Sequence, residues 1–249
     1  MVSQGTHPDI HSLISCAAKG KLITEKQGRR LERLLEAEGG KKRKPKHLSL
    51  RIKDCSEKAL QRAIYLTSYS DLLFSDHTIK KVFWGDVEVP ARSEGKSPRG
   101  SCFDLVGSTK NDGKIDVLCE LKMGGKSQDS PLFATLELLA YYGASEKDDE
   151  LRFHENSIAK LLGWKKAKGT QPILIVAADS AYWDKWEKPG RGDLQKLAKL
   201  CIGPSFFWPS FFKIRLSEKS GWFKEQKQGE EYYTPCLGPC KWQDVYGRI

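Results

Sequence analysis

Three residues near the middle of the chain carry side chains that could act together on a phosphodiester. They are Asp104 in SCFDLVG (101–107), and Glu120 and Lys122 in KIDVLCELKMG (114–124). Both segments alternate apolar with polar residues, as half-buried strands do. In the second, Ile115, Val117, Cys119 and Leu121 share one apolar face, while Asp116, Leu118, Glu120 and Lys122 share the other. A carboxylate and an amine two residues apart usually form only an ion pair at a wet edge. Asp104 alters that reading, because it is a lone acid between Phe103 and Leu105. A two-residue turn at Asp112-Gly113 would set Asp104 opposite Leu121. Lys-Asn-Asp-Gly (110–113) suits a three-residue connection better, a type I turn with Gly113 left-handed as a G1 bulge. Asp104 then falls opposite Glu120. Directly paired side chains stand about 4.5–5.5 Å apart at Cβ, and two carboxylates that close repel unless a cation or proton lies between them.

Such a pair, with the adjoining backbone carbonyl of Leu121, offers hard oxygen donors suited to Mg²⁺ or Mn²⁺. A bound ion would take a phosphodiester oxygen, polarise phosphorus and lower the pKa of a bound water. Lys122 would orient that water or stabilise charge in the transition state. The expected activity is therefore that of a Mg²⁺-dependent nuclease, with Asp104, Glu120 and Lys122 catalytic and Asp104, Glu120 and the Leu121 carbonyl as metal ligands.

FDLVG, the NDG turn, VLCELK and the following PLFATLELLAYYG resemble the PD-(D/E)XK nuclease superfamily. The likeness is to its RecB-type exonuclease-like branch and to small bacterial proteins of restriction-endonuclease-like fold. It spans roughly residues 56–217, with its specific part in 101–143. The resemblance places the family's first acid on Asp104 and its E-x-K on Glu120 and Lys122. The Q-x-x-x-Y of that branch falls on Glu137 and Tyr141, one turn apart on a helix. The glutamate departs from the pattern: it is either a further metal ligand or a sign that the helix meets nucleic acid differently. Phe103 replaces the usual proline, and the acid carried on the leading helix falls on Glu57. The resemblance implies an α/β fold, a mixed central sheet flanked by helices.

The elements that must position these residues can be read in outline. Residues 8–38 form two short helices, the second opened by a capping box at Thr24 and Gln27 and striped by Leu31, Leu34 and Leu35. This N-terminal helical hairpin (1–38) docks on the rest or self-associates. GGKKRKPKH lies in a basic linker (39–55), either a solvated tether or a contact to DNA backbone. The nuclease-like domain takes 56–249. Its leading helix runs through EKALQRAIYLTSYSDLLF, followed by strands at 80–90, 101–107 and 114–124. A helix follows with Ser130 as N-cap and Pro131 at its first position. A buried strand at 171–178, a helix DLQKLAKLCI and a strand FFKIRLS (211–217) complete the pattern, an α/β order.

Forty-two Lys+Arg against 32 Asp+Glu give a net charge of +10, which favours a polyanionic partner such as DNA. No apolar run is long enough to span a bilayer, and the N-terminus lacks a signal-peptide pattern, so the expected location is cytoplasmic. Seven scattered cysteines suit reduced thiols, with Cys236 and Cys240 a turn bearing two thiols. Aromatic and basic residues interleave at Trp164–Lys166, Tyr182–Trp186 and Trp222–Lys224, either a stacking surface or core aromatics with lysines at the rim. Two other readings stand beside the enzyme. One is a module that holds nucleic acid without cutting it; the other makes the basic hairpin a handle for a repair or defence complex.

Overall fold

A computed structural model of the chain describes residues 9–36, 46–50, 52, 56–92, 101–125, 127–146, 148, 150–167, 169–201, 208–214, 222–227, 229–235 and 241–247. The linker residues 39–45, Cys236 and Cys240 lie outside them, as does Lys126. The elements are, in chain order, α1 (Ile10–Lys19), α2 (Glu25–Glu36), α3 (Glu57–Leu66), β1 (Tyr69–Leu73), β2 (Ile79–Pro90), β3 (Cys102–Ser108), β4 (Lys114–Ile115) and β5 (Val117–Lys122). There follow α4 (Pro131–Ser145), α5 (Ile158–Leu161), β6 (Lys165–Lys166), β7 (Ile173–Ala178), α6 (Ser180–Cys201), β8 (Ser210–Ile214), β9 (Trp222–Lys227), β10 (Glu230–Pro235) and β11 (Lys241–Asp244).

Seven strands close on themselves in the order β1-β11-β8-β7-β5-β3-β2. The pairs β1–β11, β5–β7 and β7–β8 are parallel and the others antiparallel. The expected open, restriction-endonuclease-like mixed sheet flanked by helices is therefore corrected to a closed mixed barrel. The reason lies in residues 57–74, read from sequence as one helix. The helix ends at Leu66, Ser68 takes a positive φ of 68°, and Tyr69–Leu73 becomes β1. That strand pairs with β2 on one side and β11 on the other, so it is the element that closes the sheet. Trp84 of β2 ties the closure together. Its indole N–H donates to Ser70 Oγ at 2.8 Å, and its ring stacks on Trp242 of β11 at 5.3 Å.

Two apolar clusters divide the structure by strand face. One joins Leu72, Val82, Leu105, Val117, Cys119, Ile175, Phe212 and Trp242 to Leu60 and Ile64 of α3. The other joins Val106, Leu118, Leu174, Val176 and Phe211 to helices α1, α2, α4 and α6. The hairpin belongs to this second cluster, through Leu31, Leu34 and Leu35. Its capping box forms as expected, with Thr24 N–H donating to Gln27 Oε1 (2.9 Å) and Gln27 N–H to Thr24 Oγ1 (3.2 Å). Gly143 of α4 permits the close approach, because a Cβ there would meet Ile10 Cδ1 at 2.5 Å. Docking of this kind makes Leu31→Ala expensive: a loss of about 2–5 kcal/mol in urea unfolding is expected, and a loss below about 1 kcal/mol would mean the hairpin does not share the core.

Tyr182, Trp183 and Trp164 are buried. Trp183 makes edge contacts to Tyr182, Phe211 and Tyr246, so these aromatics are core and not a stacking platform. Trp222, Phe223 and Lys224 have side chains outside the described set. Cys16 is disulfide-bonded, which corrects the expectation of thiols throughout, while Cys102 and Cys119 carry thiols. Among the described residues no helix is long and apolar enough to cross a membrane.

Candidate active site

β3 and β5 pair through Leu105↔Cys119, Val106↔Leu118 and Gly107↔Val117, the register expected from sequence. Gly113 takes the left-handed φ expected of it, but the connection as a whole is not a hairpin turn. Asn111 takes a positive φ of 52° ahead of Gly113 at 77°, and Lys114–Ile115 leave to pair with β6. Asp116 folds back so that its carboxylate accepts the Thr109 N–H at 2.8 Å. At the other end the ladder stops at Leu105, so the expected direct pairing of Asp104 with Glu120 does not form. Beyond it, the Leu121 N–H donates to Asp104 Oδ2 at 2.6 Å. Gln61 of α3 donates its amide N–H to Asp104 Oδ1 at 2.7 Å. The Gln61 amide cannot turn over without conflict, because Arg62 Nη1, a donor only, sits 3.0 Å from Gln61 Oε1.

Glu120 and Lys122 project from the opposite face of β5 to Cys119 and Leu121, toward α4. Lys122 Nζ donates to Glu120 Oε1 at 2.6 Å and to Glu137 Oε2 at 3.2 Å. Glu137 Oε1 in turn accepts from Tyr141 Oη at 3.3 Å and pairs with Arg30 Nη2 of α2 at 2.6 Å. Glu137 and Tyr141 come together because they lie one turn apart on α4, whose start is set by Ser130 capping the Phe133 N–H and by Pro131. Glu57, the first residue of α3, is half-buried and close enough to be felt electrostatically by Lys122, Asp104 and Glu120. Glu120, Lys122, Glu137 and Tyr141 thus form one hydrogen-bonded chain, while Asp104, held by Gln61 and the Leu121 N–H, and Glu57 bear on it electrostatically. Leu121 sits within β5 beside Ala177 of β7, lending Asp104 its N–H.

Two members were not foreseen. Gln61 had a signal, since it stands four residues after Glu57 and so on the same helical face. Arg30 had none, because nothing local to EKQGRRLERL ties it to Glu137.

The electrostatics are those of a site with too much negative charge. Asp104, Glu120 and Glu137 are buried, with Glu57 beside them, against Lys122 and the half-exposed Arg30. Burial, reinforced by Glu120 and Glu57, holds the Asp104 carboxyl well above its usual range. Burial pushes Glu120 up to about 8, with Lys122 opposing the rise and Glu137 adding to it. For Lys122 burial pulls the ammonium down, but Glu120, Glu137, Glu57 and Asp104 outweigh it and keep it charged well past the ordinary lysine value. The sign of the pH dependence follows. The unfolded chain releases the Glu120 proton near 4.5 and the folded chain near 8, so between those values the folded state binds more protons. Stability in EDTA should therefore fall as pH rises through that window, and Glu120→Gln should flatten the decline. A urea midpoint that rises over the same window would contradict this.

The cluster also holds an orphan: Glu120 Oε2 is buried with no hydrogen-bond partner among the described residues. Such an oxygen costs about 1–3 kcal/mol or more if nothing fills its demand. A divalent cation between Asp104 and Glu120 would satisfy it and offset the excess charge, so the donor set fits a hard metal ion. Among the described residues no three His, Cys, Asp or Glu side chains are gathered as a ligand group. The donors to test are therefore the Asp104–Glu120 pair with a backbone oxygen. No family model, curated protein or solved structure matches the chain.

Proposed function

We propose that the chain is a divalent-metal phosphodiesterase acting on nucleic acid, DNA in the first instance, in the cytoplasm. The observation that carries the reading is the buried surplus of carboxylates around Asp104 and Glu120, with Glu120 Oε2 unmet. Asp104, Glu120 and the Leu121 carbonyl would hold Mg²⁺ or Mn²⁺, which supplies Lewis acidity at the phosphate and a water ionised at neutral pH. Gln61 and the Leu121 N–H fix the Asp104 carboxylate, so it would need no rotamer search to hold an ion. Lys122, kept charged by its acids, stabilises the negative charge that grows on the phosphoryl oxygens. The reading rests on the site and on its likeness to the PD-(D/E)XK motif, and not on the shape of the sheet.

A second reading, a non-catalytic nucleic-acid-binding module, draws on one observation. Lys122 is held between Glu120 and Glu137, as an ammonium that merely neutralises them would be. Incubating the full chain with labelled single-stranded DNA, duplex DNA and RNA in Mg²⁺, Mn²⁺ or EDTA separates the two. The enzyme yields products only with an ion present. Binding with no product under any ion would favour the module.

A further inference from the structure

α2 sorts its charges by face. Glu25, Arg29, Glu32 and Glu36 form one line along the helix, with Arg29 paired to Glu25 at 2.7 Å. Lys26, Arg30 and Arg33 form the neighbouring line, all exposed and spaced four and three residues apart. A basic helical face is ordinarily just solvated. Here its middle residue is tied to the candidate active site. Arg30 Nη2 lies 2.6 Å from the buried Glu137 Oε1, its guanidinium 5.7 Å from the centre of the Phe133 ring, and its side chain is half in solvent. The same Glu137 holds Lys122 through its other oxygen. Arg30 thus bridges the interior cluster and water, and a planar fork of five N–H donors can serve a carboxylate and a phosphate together.

We infer that the Lys26–Arg30–Arg33 line is a track for the sugar–phosphate backbone of the substrate strand, with Arg30 gripping a phosphate at the mouth of the site. The inference rests on the phosphodiesterase reading and gives the docked hairpin a part in substrate binding. Charge complementarity selects the occupant, since the line presents cations alone to a regularly spaced polyanion.

The test is anisotropy titration of the full chain with a labelled DNA strand, single and duplex, in EDTA so that no strand is cut. The dependence of log Kd on log salt should lose about 0.7–0.9 of slope in Arg30→Gln, with affinity several-fold weaker on every sequence tried. Lys26→Gln and Arg33→Gln, on exposed positions that leave folding intact, should each do the same, and Arg30→Lys should keep the slope. Unchanged slope and Kd in all three glutamine variants, beside a wild type that binds, would overturn the track while sparing the cleavage reading. A wild type that binds neither form of DNA would overturn the track as well, and the cleavage assay on DNA and RNA with an ion present then judges the phosphodiesterase reading by itself.

Discussion

Glu120→Gln is expected to lose Mg²⁺-dependent cleavage by on the order of 10³-fold or more, about 4 kcal/mol of transition-state stabilisation, while its fold becomes no weaker. The combination is what makes the variant informative. In the folded chain Glu120 is buried, pushed up to about 8, and left with one oxygen unmet. At neutral pH, below that value, the carboxyl is mostly protonated, so an amide of the same shape replaces it with little change of charge, and its oxygen still accepts from Lys122 Nζ. Metal-free stability at neutral pH should therefore hold or rise as activity collapses, the pattern of a residue kept for function at a cost in stability. Asp104 is a less clean position. Both its oxygens accept from donors, Gln61 Nε2 and the Leu121 N–H, so Asp104→Asn turns an NH₂ toward a donor and Asp104→Ala strands two, at about 1–3 kcal/mol each. Cleavage should be lost in both, but only with the fold checked by urea midpoint. Glu120→Gln that cuts within tenfold of the wild type would sink the assignment of the cluster.

The register of β3 on β5 was legible in sequence from the alternation of its apolar residues more firmly than from its turn. Leu105 and Cys119 face one core while Val106 and Leu118 face the other. A slip by one residue would carry each apolar side chain to the wrong cluster. The pattern of burial therefore fixes the offset even though residues 109–116 wander through β4 and an Asp116–Thr109 contact. The helix carrying Glu137 and Tyr141 was legible for a similar reason, its cap and its buried length agreeing. Closure of the sheet was not. It depends on β1 and β11, of five and four residues, and YSDLL continues the helical pattern of α3 closely enough to hide the break. Ser68 takes a positive φ just ahead of β1, and Trp84 meets Ser70 and Trp242, a contact between distant segments that no local pattern shows. Arg30 was hidden likewise: its partner is defined by how a hairpin docks, and Gly143 sets that docking from the far side of the interface.

Lys122→Met should be the most destabilising single change at the site, by about 3–5 kcal/mol in EDTA above pH 8, where the folded wild type ionises Glu120, because removing one partner of a buried ion pair leaves the other charges uncompensated. Here two carboxylates lose their ammonium at once, Glu120 at 2.6 Å and Glu137 at 3.2 Å. The double variant Lys122→Met, Glu120→Met should recover much of the loss. It trades a pair for apolar volume, and Glu137 remains held by Arg30 and Tyr141. A double-mutant cycle by urea unfolding reads the coupling directly. Adding Mg²⁺ decides between the two functional readings. If the carboxylates exist to hold a divalent ion, the ion restores Lys122→Met toward the wild-type midpoint, since a ligand bound only by the folded state stabilises it by mass action. If the ammonium is itself the intended cation, Mg²⁺ leaves the variant where it was. A Lys122→Met chain within about 1 kcal/mol of the wild type would mean that the cluster is not buried as an interacting unit, since most such losses are far larger.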